Sequence, residues 1–361
     1  MKSFSDYIVN LNILKNNALN IKKLLGETKF CAIVKADAYG LGLEPVCHAL
    51  FDIADYFGVA NFMEAIKIRT FDKKTKVLIL GVTPIEDLTL CSASGISISV
   101  SDLMELTQIC DFCEEYKINI NIHIQINTGL NRFGFKSIID FKKALKLVDK
   151  CKYINLEGCY SHFATKSQDV AFIKRQYIRF LQFKKYVKDQ SVIFHIANSF
   201  ATTYDTKFRL DMVRNGFLLY GGTENKIGNK FILSIKSKIV NIMNVKKGDT
   251  IGYDRTFTVK KSMKIAVVPL GYADGLDRRL SNLFYVLIGG VKCKIIGLIC
   301  MDVFMVDVSA IDARVMDEVV ILGSQRCEEI TINDMAECLG TSPYEVLLKL
   351  SPKRMNYILK Y

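Results

Sequence analysis

The segment FCAIVKADAYGLG, residues 30–42, begins with an apolar, strand-like run of the kind that recurs through the first part of the chain. Its apolar residues 30–34 are typical of a short buried strand, and Lys35 follows directly at the C-terminal end of that strand. The residues after Lys35, including Gly40 and Gly42, have the composition of a turn. A lysine amine there can bond covalently to an aldehyde if burial or nearby cations lower its pKa. For a lysine considered alone, a solvated side chain is the simpler interpretation.

Seven further apolar runs follow the first, and helical patterns lie between most of them. These runs begin near residues 57, 77, 96, 118, 154, 192 and 210. Eight strands alternating with helices predict an α/β fold, a TIM (β/α)8 barrel. An open doubly wound sheet is the alternative. No GxGxxG motif follows the first strand, which weakens the dinucleotide-binding form of that alternative.

The pattern changes after about residue 228, where strand-like runs are separated by turns such as Lys247–Asp249. We therefore predict a barrel over residues 12–228 and a mostly β C-terminal domain over 229–361. Residues 1–11 are expected to pair with that second domain, and residues 331–350 to be partly helical.

Composition argues against several classes of function. The net charge of +12 comes from dispersed lysines without a nucleic-acid recognition motif, and no apolar run is long enough to span a membrane. Eleven cysteines without a signal peptide favour reduced thiols and a cytoplasmic protein. Cys110 and Cys113 form a CxxC on a helical pattern with no second pair, so no metal site is expected.

Local signals place several elements. An apolar stripe at steps of three and four predicts a helix over residues 11–25 that ends at Gly26. Ser101 is expected to cap a helix that reaches Tyr116, and another helix is expected over residues 168–189. Isoleucine alternates with polar residues over 118–126, which predicts a strand with Gln125 on its polar face.

The residues that follow the predicted barrel strands share one position. In TIM barrels, functional side chains cluster at the C-terminal ends of the strands. Here those ends supply Lys35, Tyr39, Arg132, His162, Asn198, Ser199 and Arg214. Each residue alone is unremarkable, and their common position is the reason to expect a site.

Seven motifs, in order along nearly the whole chain, resemble those of the alanine racemase family. They are VKADAYGLG (34–42), NTGLNRFG (127–134), EGCYSHFA (157–164), HIANS (195–199), VRNGFLLYG (213–221), GYADG (271–275) and ICMD (299–302). The chain has Leu41 where the family has histidine, and Asn127 where it has aspartate. The resemblance implies a cytoplasmic isomerase that interconverts L- and D-alanine and supplies D-alanine for the bacterial cell wall.

The resemblance also implies a cofactor, pyridoxal 5'-phosphate, carried covalently by Lys35. Arg214 would face the pyridine nitrogen, which stays unprotonated because arginine keeps its proton. His162 would pack against the ring, although a buried structural histidine is the competing interpretation. The remaining cofactor-binding residues implied are Tyr39, Asn198, Ser199, Gly216, Phe217 and Tyr344.

Racemisation requires a proton to leave one face of Cα and return on the other, so two bases are expected. By resemblance they are Lys35 and Tyr272, with Tyr272 supplied by the neighbouring subunit of a homodimer. Arg132 and Met301 would bind the substrate carboxylate or the phenolic oxygen of the cofactor. For Met301, ordinary strand core is the competing interpretation.

Gln125 departs from the family, in which a carbamylated lysine commonly supports the equivalent of Arg132. A buried arginine without an anion is costly, so a small anion, most simply chloride, is expected beside Arg132 with the amide of Gln125 as one of its donors. Support of Arg132 by Gln125 and neighbouring polar groups, without an anion, is the alternative.

Three other functions remain open. A serine or broad-specificity racemase would share the fold. A non-catalytic pyridoxal-phosphate-binding barrel would lack GYADG and ICMD. A barrel-type decarboxylase would place an acidic residue where Arg214 lies.

Overall fold

The computed structural model describes residues 3–165, 169–222 and 227–361. Its backbone contacts divide the chain into two compact units. The barrel unit comprises Leu14–Ala38 and Gly42–Lys230. The β unit comprises the residues up to Ile13, Tyr39–Leu41 and Phe231–Tyr361.

Eight parallel strands form the barrel unit. After β1 (Asp6–Asn10), which belongs to the β unit, the barrel strands are β2 (Lys29–Ile33), β3 (Tyr56–Val59), β4 (Lys76–Ile79), β5 (Ile96–Val100), β6 (Ile120–Gln125), β7 (Ile154–Tyr160), β8 (Ile193–His195) and β9 (Met212–Asn215). Each of β2–β8 pairs with its neighbour in sequence, and β9 pairs with β2. Arg214 N donates to Ala197 O at 3.0 Å, which joins the two ends of the sheet. The predicted TIM barrel is confirmed.

Helices connect the barrel strands and cover their outer side. They are α1 (Leu11–Leu25), α2 (Leu43–His48), α3 (Phe62–Phe71), α4 (Leu88–Ala93), α5 (Leu103–Tyr116), α6 (Ile138–Lys150), α7 (Val170–Lys184) and α8 (Ser199–Tyr204). The expected end of α1 at Gly26 is confirmed, since that glycine has φ +58°.

Two expected helix limits are wrong. Asp102, not Ser101, caps α5, because the Asp102 carboxylate accepts from Glu105 N. The helix expected over 168–189 ends at Lys184, and its expected first residue, Gln168, lies outside the described residues.

The turn after β2 is left-handed. Residues 36–39 have φ between +53° and +61°, although none of them is glycine. Such a conformation costs roughly 1–2 kcal/mol per residue. Three hydrogen bonds oppose this cost: Ala36 N donates to Glu64 Oε1, Leu43 N to Asp37 Oδ1, and Ala38 N to Val34 O.

A ten-stranded sheet dominates the β unit. Besides β1, its members are β10 (Leu233–Lys238), β11 (Asn241–Val245), β14 (Met263–Val268), β15 (Tyr285–Ile288), β16 (Val291–Ile296), β17 (Phe304–Asp307), β18 (Glu318–Gln325), β19 (Glu328–Ile330) and β20 (Asn356–Lys360), while β12 (Thr250–Ile251) and β13 (Phe257–Thr258) form a separate pair. β1 pairs with both β10 and β20. The helices α9 (Ile332–Leu339) and α10 (Pro343–Lys349) lie in this unit. A mostly β second domain is therefore confirmed.

None of the helices in the described parts of the chain is both long and apolar enough to cross a membrane.

Candidate active site

Lys35 lies just beyond the C-terminal end of β2 and is exposed in the single chain. The surrounding protein removes part of its water and lowers its pKa, and the positive charge of Arg132 lowers it further. Glu64 opposes these effects only in part. A lysine in this environment loses its proton more readily than a solvated lysine, which is what an amine nucleophile requires.

Arg214, in β9, is buried, with 4% of its surface exposed. Its Nη1 donates to His195 Nδ1 at 2.7 Å, and its Nη2 donates to Ser161 O at 2.6 Å and to His162 Nδ1 at 3.2 Å. Burial and the nearby Arg214, Arg132 and Lys35 lower the pKa of His162 to about 3. His162 is therefore neutral near pH 7, so its Nδ1 can accept from the guanidinium.

Ser199 opens α8 just beyond the end of β8. Its Oγ accepts from the backbone N of Gly216 at 3.3 Å and of Leu218 at 3.1 Å. The Asn198 side chain caps the helix by accepting from Ala201 N at 3.1 Å. Two segments predicted to bind the cofactor, 198–199 and 216–217, thus meet at one place.

The GYADG and ICMD motifs pack together within the β unit. Tyr272 N donates to Cys300 O, and Ala273 N donates to Met301 O, both at 3.1 Å. A Cβ on Gly271 would fall on the backbone of Met301, so this close approach requires glycine. Tyr272 and Met301 remain 43% and 52% exposed. Met301 is therefore not strand core, which was the competing interpretation.

Asp274 stabilises the contact between the GYADG and ICMD motifs. Its Oδ2 accepts from Gly271 N at 2.9 Å, and its Oδ1 lies 3.6 Å from Arg354 Nε. Arg354 also binds the carboxylate of Asp302 at 2.6 Å. One arginine thus links the two motifs and fixes the backbone that carries Tyr272.

Tyr39 and Tyr344 also meet in the β unit, with ring centroids 6.0 Å apart. Tyr39 is buried. Burial is the main cause that raises its pKa, and the proximity of Tyr344 raises it further. Tyr39 therefore stays protonated near pH 7 and suits a hydrogen-bonding role rather than that of a base.

Comparison with known proteins identifies the family. The sequence model of the alanine racemase N-terminal domain matches residues 9–224, and that of the C-terminal domain matches residues 232–358. The chain belongs to the alanine racemase family. It is 37% identical over 355 residues to alanine racemase 2 of Caldanaerobacter subterraneus subsp. tengcongensis, covering 95% of this chain and 92% of that relative.

Solved structures of other racemases agree with this assignment. The alanine racemase from E. faecalis superposes with a TM-score of 0.93 at 27% identity, covering 99% of this chain and 98% of that one. The Bacillus anthracis alanine racemase with bound L-Ala-P has a TM-score of 0.89 at 29% identity, covering 97% and 94%. This racemase is an isomerase that interconverts L- and D-alanine.

The predicted chloride site assumes that Arg132 is buried, and in the single chain of this racemase that assumption is wrong. Arg132 is exposed, and among the described residues it has no hydrogen bond or ion pair, so it is not a buried charge that needs an anion. Gln125 is buried, and its Oε1 accepts from Tyr160 Oη at 2.9 Å. We therefore propose no halide site.

Two residues that surround Arg214 in this racemase, Tyr160 and His195, were not among the predicted site residues. The Tyr160 ring stacks on His195 with centroids 5.0 Å apart, and the Arg214 guanidinium lies 5.1 Å from the Tyr160 centroid. Both residues lie in motifs quoted for the family, but nothing in the strand pattern marks them as partners of Arg214. Their position at the ends of β7 and β8 is the only signal that could have indicated them.

Proposed function

We propose that this racemase works through pyridoxal phosphate bound to Lys35, and that Lys35 and Tyr272 exchange the α-proton of alanine on opposite faces. The observation that carries the proposal is the combination, at one end of the barrel, of a lysine with a lowered pKa and a buried arginine with neutral partners. A covalent aldehyde cofactor needs the first group, and a pyridine nitrogen suits the second.

The remaining donors fit the phosphate of that cofactor. The hydroxyl of Ser199 and the backbone N–H of Gly216 lie together, next to the first turn of α8. We assign phosphate and ring contacts to these two residues, to His162, and to Asn198, Phe217, Tyr39 and Tyr344.

When bound, pyridoxal phosphate supplies a conjugated ring that accepts the electron pair left on Cα after deprotonation. Lys35 Nζ takes or returns the proton on one face, and Tyr272 Oη does so on the other. Arg132 and the Met301 backbone hold the substrate carboxylate. Arg214 keeps its own proton, so it would hold the ring nitrogen by donating a hydrogen bond without protonating it.

The active assembly that we propose is a homodimer in which Tyr272 completes the site of the neighbouring subunit. The exposure of Tyr272 and Met301 in the single chain supports this arrangement. We further propose domains over residues 12–228 and 229–361, a cytoplasmic location, and a role in supplying D-alanine for the cell wall.

The test is borohydride reduction of the purified enzyme followed by peptide mapping. We expect the reduced cofactor on the peptide that contains Lys35, and none on the Lys35→Arg variant, which keeps the charge. Cofactor on another lysine would overturn the assignment. Racemisation rates for L-alanine and L-serine, measured on the same preparation, define the substrate range; a higher kcat/KM for serine would contradict alanine as the preferred substrate.

A further inference from the structure

The interior of the barrel contains a line of polar side chains that begins at Arg214 and runs away from the C-terminal ends of the strands. His195 Nε2 lies 2.9 Å from His123 Nδ1, and His123 Nε2 lies 3.1 Å from Glu157 Oε2. Barrel interiors are usually filled by branched apolar side chains. Both histidines have no exposed surface and Glu157 is 9% exposed. Burying these polar groups costs free energy unless their hydrogen bonds are satisfied.

The hydrogen-bond chemistry gives the line one direction. Arginine has only donors, so His195 Nδ1 must accept from Arg214 and its ring proton must lie on Nε2. That proton is donated to His123 Nδ1, so His123 must also carry its proton on Nε2. His123 then donates to Glu157. Burial, together with Arg214, lowers the pKa of both histidines, which keeps each ring neutral and in a single tautomer.

Glu157, at the far end of the line, is a carboxylate that accepts four hydrogen bonds. Besides His123, it accepts from Ser97 Oγ at 2.6 Å, Tyr56 Oη at 3.0 Å and Lys76 Nζ at 2.5 Å. Burial by itself would raise its pKa, but the hydrogen bonds from His123, Lys76 and Ser97 outweigh burial and lower it. Glu157 is therefore ionised near pH 7 and can act only as an acceptor.

Two backbone features make room for this arrangement. The pairing of β6 with β7 shifts register, so that Leu156 faces Ile122, Gly158 faces His123 and Glu157 is the extra residue between them. A Cβ on Gly158 would fall on the His123 ring. The bulge and the glycine thus belong to the same local structure as the His123–Glu157 contact.

Arg214 needs such an arrangement because it is a buried cation. Among the described residues no carboxylate forms an ion pair with it, and an isolated buried charge is costly. Its acceptors are the neutral nitrogens of His195 and His162 and two backbone carbonyls. A change of tautomer at His195 would replace one of these acceptors with an N–H donor that faces the guanidinium.

We propose that Glu157, His123 and His195 form a positioning relay for Arg214, in which the carboxylate fixes the proton of each histidine on Nε2 and so fixes the guanidinium. These three are positioning residues, since they act through Arg214. The effect of the relay on catalysis rests on the proposed role of Arg214, whereas the protonation of the two histidines does not.

The direct test is 15N NMR of the histidine side chains in the holoenzyme. The chain has four histidines, so single substitutions assign the signals. The expected result is that His123 and His195 are protonated on Nε2 only near pH 7. A proton on Nδ1 of either ring, or two protons on either ring, would overturn the relay whatever the enzyme's reaction proves to be.

The functional test compares Glu157→Gln with Tyr56→Phe. In Glu157→Gln, the amide brings two N–H donors to a position that already accepts hydrogen bonds from four donors, so the relay loses its fixed direction. Tyr56→Phe removes one hydrogen bond from the same carboxylate and leaves the direction of the relay intact. We expect Glu157→Gln to give mixed tautomers at His195 and to lower kcat by about 10- to 100-fold, as for outer partners of metal-bound histidines, with KM little changed. Tyr56→Phe should keep both readouts near normal. Equal loss of kcat in the two variants, or an unchanged His195 tautomer in Glu157→Gln, would show that these residues only fill the core.

Discussion

Lys35 and Arg214 are cations at the same end of the barrel, yet their surroundings suit them to opposite tasks. The protein around Lys35 and the charge of Arg132 lower the pKa of Lys35, so the amine can lose and regain a proton. Burial also lowers the pKa of Arg214, but a guanidinium stays protonated at any working pH. One cation can therefore exchange protons during catalysis, and the other provides a permanent hydrogen-bond donor.

The lowered pKa of Lys35 predicts a cost to stability. Below the folded-state pKa of Lys35, its positive charge destabilises the folded chain. As the pH rises toward 10.5, the ordinary pKa of lysine, the folded state loses this proton before the unfolded state does, so the free energy of unfolding rises. We therefore expect Lys35→Met to raise the Tm of the cofactor-free protein at pH 7, with a gain that shrinks toward pH 10.5.

The matched control for that measurement is Lys67→Met. Lys67 is exposed and pairs with Asp37 at 3.6 Å, so removing its charge should give no gain. Thermal unfolding of the two variants across pH decides the question. Equal changes in Tm at every pH would contradict a cost specific to Lys35.

Some of these residues could be predicted from sequence, and others could not. Lys35, His162, Ser199 and Arg214 follow apolar runs, and the geometry of a barrel collects such positions. Glu157 could not be placed, because it enters the interior through a bulge that shifts the period of β7 by one residue.

At the scale of the element, the turn after Lys35 is the most unusual structure. The glycines at 40 and 42 predict a turn, but residues 36–39 do not predict that it is left-handed, since alanine and tyrosine rarely adopt that conformation and aspartate does so only at single positions. The clamp formed by Glu64 on Ala36 N and Ala60 N explains how the chain tolerates it. The contact of Glu64 with Ala36 joins residues 28 positions apart in sequence, so local propensity could not reveal it.

Ala36→Gly tests the strain in this turn. Glycine relieves roughly 1–2 kcal/mol of left-handed strain and adds about 0.5–1 kcal/mol of unfolded-state entropy, so the free energy of unfolding should stay level or rise. The control is Ala171→Gly in the right-handed helix α7, where the same change should lower it by up to about 1 kcal/mol. Chemical denaturation measures both variants. An equal loss in the two would show that the turn is not strained.

At the scale of the whole molecule, alternation of strands and helices predicts the barrel, and the change of pattern after residue 228 predicts the second domain. The proposed dimer rests on the family resemblance, and it agrees with the placement of Lys35 in the barrel unit and of an exposed Tyr272 in the β unit. Sequence patterns within one chain carry no signal for which subunit completes a site, so this arrangement came from resemblance to the family.

Mixing two inactive variants tests the shared site. If Tyr272 completes the partner's site, a hybrid of Lys35→Ala and Tyr272→Phe chains has one intact site of two. Random exchange at equal amounts makes about half of the dimers hybrid, so about a quarter of the wild-type activity should return. If subunit exchange is demonstrated by mass spectrometry and no activity returns, each tyrosine serves its own chain or the two bases are misassigned.

The central claim is that Lys35 and Tyr272 act on opposite faces of alanine, with Lys35 as the base for D-alanine and Tyr272 as the base for L-alanine. Solvent exchange in the Tyr272→Phe variant tests this claim most directly. In D2O, proton NMR follows loss of the α-hydrogen from each enantiomer separately, with Tyr253→Phe as an exposed tyrosine control. We predict that D-alanine still exchanges with retention of configuration through Lys35, whereas exchange of L-alanine falls by about 10²–10⁴-fold. Equal exchange rates for the two enantiomers in Tyr272→Phe would contradict the two-base account.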